Sequence, residues 1–163
     1  MFQPRVLKVV KIRKFMEYND VERRAFFKAF SNLSWDEFTK NREASFLSIR
    51  NIFIHSLNST NYWLDFIQGK NRSPNRKFEE YTNLKDIEAY MKKTEEGVHD
   101  YIQTLSTKEL KKKHLIVTSG KPEELRTEDI LVHVFEEEVH HRGELIALFW
   151  QIGIEPPVIG YPP

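Results

Sequence analysis

Glu137 and His141, in the run Val134-Phe-Glu-Glu-Glu-Val-His-His141, are spaced to share one ion. Residues four apart on an α-helix lie on one face, one turn from each other. A carboxylate oxygen and an imidazole nitrogen so placed can reach the same divalent cation. Read at steps of three and four, the ridge is Ile130, Val134, Glu137, His141, Leu145, Leu148, Ile152. It is aliphatic except at the two central positions, where a core-facing carboxylate or imidazole is costly unless paired or bound to a metal. His133 lies one turn before Glu137, and His140 shares the flank of His133. The same residues allow a plainer arrangement, with Glu137 and His141 solvated and the helix rotated. The rival stripe is Leu131, Phe135, Glu138, Arg142, Leu145, Phe149, Ile152. It too is polar in the middle, because Val139 is the only apolar side chain between 136 and 144. No rotation gives an unbroken apolar ridge, which argues for a polar cavity.

A third donor stands far away in sequence. His55 sits among Ile52, Phe53, Ile54 and Leu57, in mid-helix like Glu137 and His141. A shared ligand set needs that common depth. A hydrogen-bonded core histidine is the alternative. Gly143 is a further oddity, since a glycine inside a helix costs about 1 kcal/mol against alanine. Close packing of a neighbouring helix or of a second subunit would account for it.

Four long segments must position these groups. The first helix is expected from Val6 to Asn32, with Val9, Ile12, Met16, Phe26 and Phe30 near helical spacing. Ser34 can cap a short turn from Trp35 to Phe38. The second is expected from Glu43 to Ile67, stopped by Gly69. The third runs from Leu84 to Leu105 on the stripe Leu84, Ile87, Met91, Thr94, Val98, Tyr101, Leu105. The fourth begins after Thr127, an expected N-cap, and ends at Gly153 before Pro156-Pro157. His114-Leu-Ile-Val-Thr118, followed by Ser119-Gly120-Lys121-Pro122, reads as a strand and turn. The expected fold is all-α: a four-helix bundle with long connections at 70–82 and 106–126, at least one of them a crossover, and either one small β-hairpin or an ordered loop near 110–126. At 163 residues, one domain spanning 1–163 is expected.

Composition narrows the function classes. The net charge of +1 calls for no anionic partner, although the first fourteen residues hold five Lys/Arg. A solvated helix face explains those, so no nucleic acid is expected. With no cysteine, the chain forms no disulfide and supplies neither a thiolate ligand nor a cysteine nucleophile. No signal peptide or membrane span is read, and the expected location is cytoplasmic.

The sequence resembles the DinB/YfiT-like superfamily, whose name refers to a damage-inducible protein and not to the DNA polymerase. The resemblance covers nearly the whole chain. It rests on Ser45-Phe-Leu-Ser-Ile-Arg50, on His55 eight residues before Trp63, on His140-His-Arg-Gly143 and on Gln151-Ile-Gly-Ile-Glu-Pro-Pro157. It implies a four-helix bundle binding one divalent metal through a histidine on helix two and HxxxH on helix four. Carried over, these positions are His55, 137 and His141. Position 137 is glutamate where the family usually has histidine. A set of His55, Glu137 and His141 suits zinc or nickel first, with iron or manganese also accommodated. Its negative charge would leave a bound water less acidic than three neutral histidines would.

A metal with open coordination can generate a nucleophile or polarise a carbonyl. That chemistry would serve a hydrolase, and the resemblance implies a transferase or isomerase using a small thiol cosubstrate, which must bring its own sulfur. It also implies a homodimer. The substrate is a small molecule that the sequence does not identify, and no catalytic residue is assigned. The alternative is a non-catalytic, stress-related or scaffold bundle that has lost its metal. A di-iron carboxylate bundle is a further alternative, since Glu137-x-x-His140, Glu138-x-x-His141 and Glu96-x-x-His99 carry its Glu-x-x-His spacing.

Overall fold

The computed structural model describes residues 4–71, 75–118 and 121–160. Four long helices dominate: α1 (Pro4–Phe30), α3 (Ile49–Gln68), α4 (Leu84–Thr104) and α6 (Thr127–Gln151). Two short helices, α2 (Trp35–Thr39) and α5 (Thr107–Leu110), and a 3₁₀ turn at Phe78–Glu80 lie in the links. Strands β1 (Lys113–Thr118) and β2 (Lys121–Arg126) form the expected antiparallel hairpin, with Ile116 opposite Glu123. The expected turn residues Ser119 and Gly120, and Pro74 in the earlier link, fall outside the described residues.

The core has two apolar clusters. One joins Phe26 and Phe30 of α1, Ile49 to Leu57 of α3, Ile87 and Met91 of α4, and Leu145 to Phe149 of α6. The other joins Ile12 and Met16, Leu64 and Ile67, Val98 to Leu105, and Ile130 to Val134. The pairing fixes the directions: α1 and α6 run one way, α3 and α4 the other. α3 therefore ends at the opposite end of the bundle from the start of α4. The link 69–83 must run the length of the molecule. Extended, it reaches about 50 Å, ample for the roughly 30 Å of α3. α1 packs on α6 and α4, and α3 packs on the same two, so α1 and α3 stand diagonally.

Between the clusters lies a polar layer to which every long helix contributes. Asn19 and Arg23 of α1, Thr60 of α3, Glu95 of α4, and Glu138 and Arg142 of α6 are all buried. Arg23 Nη2 donates to Glu138 Oε1 at 2.6 Å, and Thr60 Oγ1 donates to the same oxygen at 3.0 Å. Arg23 Nη1 reaches Asp20 at 2.8 Å, while Arg24 bonds Glu95 and Arg142 donates to Asn19. The rival stripe of α6 is thus also buried, as half of an ion network. Buried charges persist when paired and hydrogen-bonded in this way.

Two helix starts differ from expectation. α3 begins at Ile49 with Ser48 as its N-cap, not at Glu43. Glu43 (φ 57°) and Leu47 (φ 71°) are left-handed, which a right-handed helix excludes and which costs each residue roughly 1–2 kcal/mol. Thr127 opens α6 as its first residue rather than capping it. Asp129 accepts from the Arg126 backbone N–H at 3.1 Å, while the Thr127 hydroxyl meets His114 of the hairpin at 2.8 Å. Gly69 (φ 65°) and Gly153 (φ 73°) end α3 and α6 near the expected places.

Candidate metal centre

The polar layer has a second flank, and His55, Glu137 and His141 meet there. His55 comes from α3, and Glu137 and His141 from the facing turn of α6. One donor atom from each lies within 4.8 Å of the other two. Glu137 Oε2 is 3.6 Å from His141 Nε2 and 3.9 Å from His55 Nε2. Donors about 2.0–2.1 Å from a tetrahedral zinc sit about 3.3 Å apart, so small rotations would close the set. The donor types and their convergence fit one divalent ion. His141 is buried, with 6% of its side chain exposed, whereas His55 keeps 27% and Glu137 31%. The open side therefore faces His55 and Glu137.

Neighbouring groups hold the imidazoles. His141 Nδ1 stands 2.6 Å from Glu144 Oε2, and Ser45 Oγ donates to that oxygen at 2.9 Å. Burial raises the Glu144 carboxyl, but the bonds from Ser45 and His141 outweigh it and hold the pKa below the ordinary value. With Nδ1 directed to Glu144, His141 turns Nε2 to Glu137, an orientation outer-shell carboxylates commonly impose on ligating histidines. Phe46 stacks on the His55 ring at 3.7 Å and meets His141 edge-on at 5.5 Å. Burial first, then His141, lowers the His55 pKa, which favours the neutral ring a metal needs.

The left-handed turn before α3 explains the Ser45-Phe46 pair. Continued as helix from Glu43, the segment would have carried both around its axis. The turn instead brings Ser45 to Glu144 and Phe46 to His55. Sequence reasoning missed these roles and that of Glu144, although its spacing of three from His141 was a readable signal. It also missed the pairing of Glu138, for which Arg23 in the gap of the α1 stripe was the clue. His133 is not drawn into the triad and lies edge-on to Trp63 at 5.2 Å. His140 is exposed and forms a second group with His141 and Glu144. The di-iron arrangement is not assembled, because Glu138 is committed to Arg23 and Thr60 and Glu96 is exposed.

A cavity of about 520 Å³ opens beside His55, between Asn58 and Tyr62 of α3 and residues 75–79 of the lengthwise link. Gly143 lies on the outside of α6, and a Cβ added there would meet nothing within 4 Å. Among the described residues, no helix packs on it. Among the described residues, no helix is long and apolar enough to cross a membrane.

Known proteins resemble this chain in sequence or in the arrangement of its helices. YizA of Bacillus subtilis (strain 168), itself uncharacterized, is 28% identical over 144 residues, covering 88% of this chain and 89% of its own length. The crystal structure of a DinB-like protein of Bacillus subtilis, YjoA, superposes with a TM-score of 0.66 at 19% identity, over 88% of this chain and 95% of that one. A DinB-like protein from Bacillus cereus gives 0.68 at 16% identity, over 88% and 92%. At such identities the structures speak for the fold. The sequence speaks for more: the DinB family model matches residues 1–163, and this chain belongs to the DinB family.

Proposed function

We propose that the chain is a divalent-metal-dependent enzyme whose ion is held by His55, Glu137 and His141. The observation that carries this reading is the convergence of three donors from two helices within 4.8 Å, beside an open cavity. Zinc or nickel suits two imidazoles and a carboxylate, and iron or manganese is the next choice. Such an ion would supply Lewis-acid chemistry, activating water or a thiol or polarising a carbonyl. The chain's own groups do the rest. Glu144 and Ser45 orient His141, Phe46 covers one face of His55, and the cavity by Asn58 and Tyr62 admits the substrate from the exposed side. Hydrolysis, or transfer or isomerisation with a small thiol cosubstrate, fits such a site in a chain without cysteine. We further propose one domain, a cytoplasmic setting and a homodimer formed through the outer face of α6. Val132, Val139 and Trp150 are exposed there, at helical spacing with Gly143.

Metal analysis of tag-free protein tests the reading. Wild type is expected to hold one equivalent of zinc or nickel. His141→Ala should lose it while keeping its helical circular dichroism, since both apolar clusters stay intact. Equal metal in that variant, or none in wild type after reconstitution, would overturn the assignment.

A further inference from the structure

The cavity beside His55 does not end at the lengthwise link. A second one, about 850 Å³, lies between α3 and α4. Tyr62, Asn75 and Arg76 wall both, so the two adjoin along a line leading away from the triad. A small fragment reacting at the triad would fill only the near one.

Arg76 is fixed at the junction. Its Nη2 donates to the Glu80 carbonyl at 2.7 Å, and its guanidinium lies 4.3 Å over the ring of Tyr81. Tyr81 is itself only 1% exposed, so that platform is rigid. Glu80 Oε2 takes only Nε, at 3.4 Å, and among the described residues nothing bonds Nη1. Lys77 follows on the same wall, with no ion pair among the described residues. A planar guanidinium held in place beside an ammonium is suited to a carboxylate or phosphate. Asn58, Asn75 and Glu79 line the near part and Asp65, Asp86 and Lys93 the far part, where the carboxylates can accept from hydroxyl or amino groups.

We infer that the substrate is an elongated polar acid: a carboxylate or phosphate seated on Arg76 and Lys77, a hydroxyl- or amino-bearing body along the two cavities, and the reacting group at the triad. This rests on the proposed role of the triad as the reacting end. The acid seat contains neither Glu137 nor His141, so it can be tested without metal.

Glucuronate, glucose 6-phosphate and neutral glucose are titrated into metal-free and metal-loaded protein, with binding followed by NMR. At least one acid should bind both forms about tenfold more tightly than glucose, the scale of one charged hydrogen bond. Which acid binds separates carboxylate from phosphate. Arg76→Gln and Lys77→Gln should each lose that preference and leave glucose unchanged. Lys77→Gln keeps the Arg76–Tyr81 stack, so it reads the seat even if Arg76→Gln disturbs the link. Glucose binding as well as both acids, no acid binding at all, or wild-type acid affinity in both variants would overturn the inference. Acid binding in a protein that never loads metal would sink the metalloenzyme reading and keep the seat. Normal metal loading without acid binding would do the reverse.

Discussion

Glu137 stands where the resemblance implies a histidine, and its geometry states what to measure. It stands between two imidazole nitrogens, at 3.6 and 3.9 Å. If it is a ligand, Glu137→His restores three histidines and should keep or tighten the metal, since imidazole ranks high for zinc and nickel. Glu137→Gln removes the charge at constant shape. It should weaken binding by at least about tenfold, what loss of an outer-shell partner already costs. Metal titrations of the three proteins at one pH check this. Affinities within a few-fold of one another would mean that Glu137 is a solvated neighbour. Metal acquired only by Glu137→His would mark a lapsed site and favour the scaffold alternative.

At the scale of the elements, the polar layer divides α1, α3, α4 and α6 into two apolar halves and joins them by charge. Glu138→Leu would take from buried Arg23 and Arg142 the carboxylate they share, leaving Arg142 with Asn19 and Arg23 with Asp20 and Glu95. A loss of about 3–5 kcal/mol is expected, and Arg23→Met in the same chain should recover most of it. Urea unfolding of the metal-free proteins measures both, and a single-variant loss below about 1 kcal/mol would mean a solvated pair. The layer also makes stability depend on pH. Burial first, with help from Glu95 and against Arg23, raises the Asp20 carboxyl to about 6. The folded protein thus holds this proton more tightly than the unfolded chain, where carboxyls titrate near pH 4. The Asp20 contribution is complete below about pH 4 and is lost as the pH rises through about 6. Asp20→Asn should flatten that part of the profile of melting temperature against pH, and an unchanged slope would refute the assignment.

For the molecule as a whole, the open surface at Gly143 bears on assembly. Among the described residues, glycine there answers no contact, and Val132, Val139 and Trp150 lie exposed around it. An isologous pair of α6 helices would bury all of them and use the missing Cβ for close approach. Sedimentation at micromolar concentration should give a dimer, and Val139→Glu should return it to monomer. A monomeric wild type would remove this surface from consideration.

The sequence by itself determined the helices, the hairpin and the depth at which polar residues interrupt the core. Those features are written in local spacing: the α4 stripe, Ser34 before Trp35, Gly69 after α3, and the absence of any unbroken apolar ridge on α6. It also singled out His55, Glu137 and His141, because unpaired polar groups are costly in a core and their mid-helix depth is countable. It did not settle which α6 stripe was buried, and the structure buries parts of both. Glu138 and Arg142 face a salt-bridge network closed by α1, while His141 and Glu137 face α3. Both flanks can be polar only because partners arrive from elsewhere in the chain, Arg23 from 115 residues away. The left-handed turn at Glu43 and Leu47, the placing of Phe46 and Ser45 on the site, and the placing of residues 75–79 along the cavity were likewise decided by tertiary structure. Each depends on the directions in which distant helices pack, which helical periodicity does not encode.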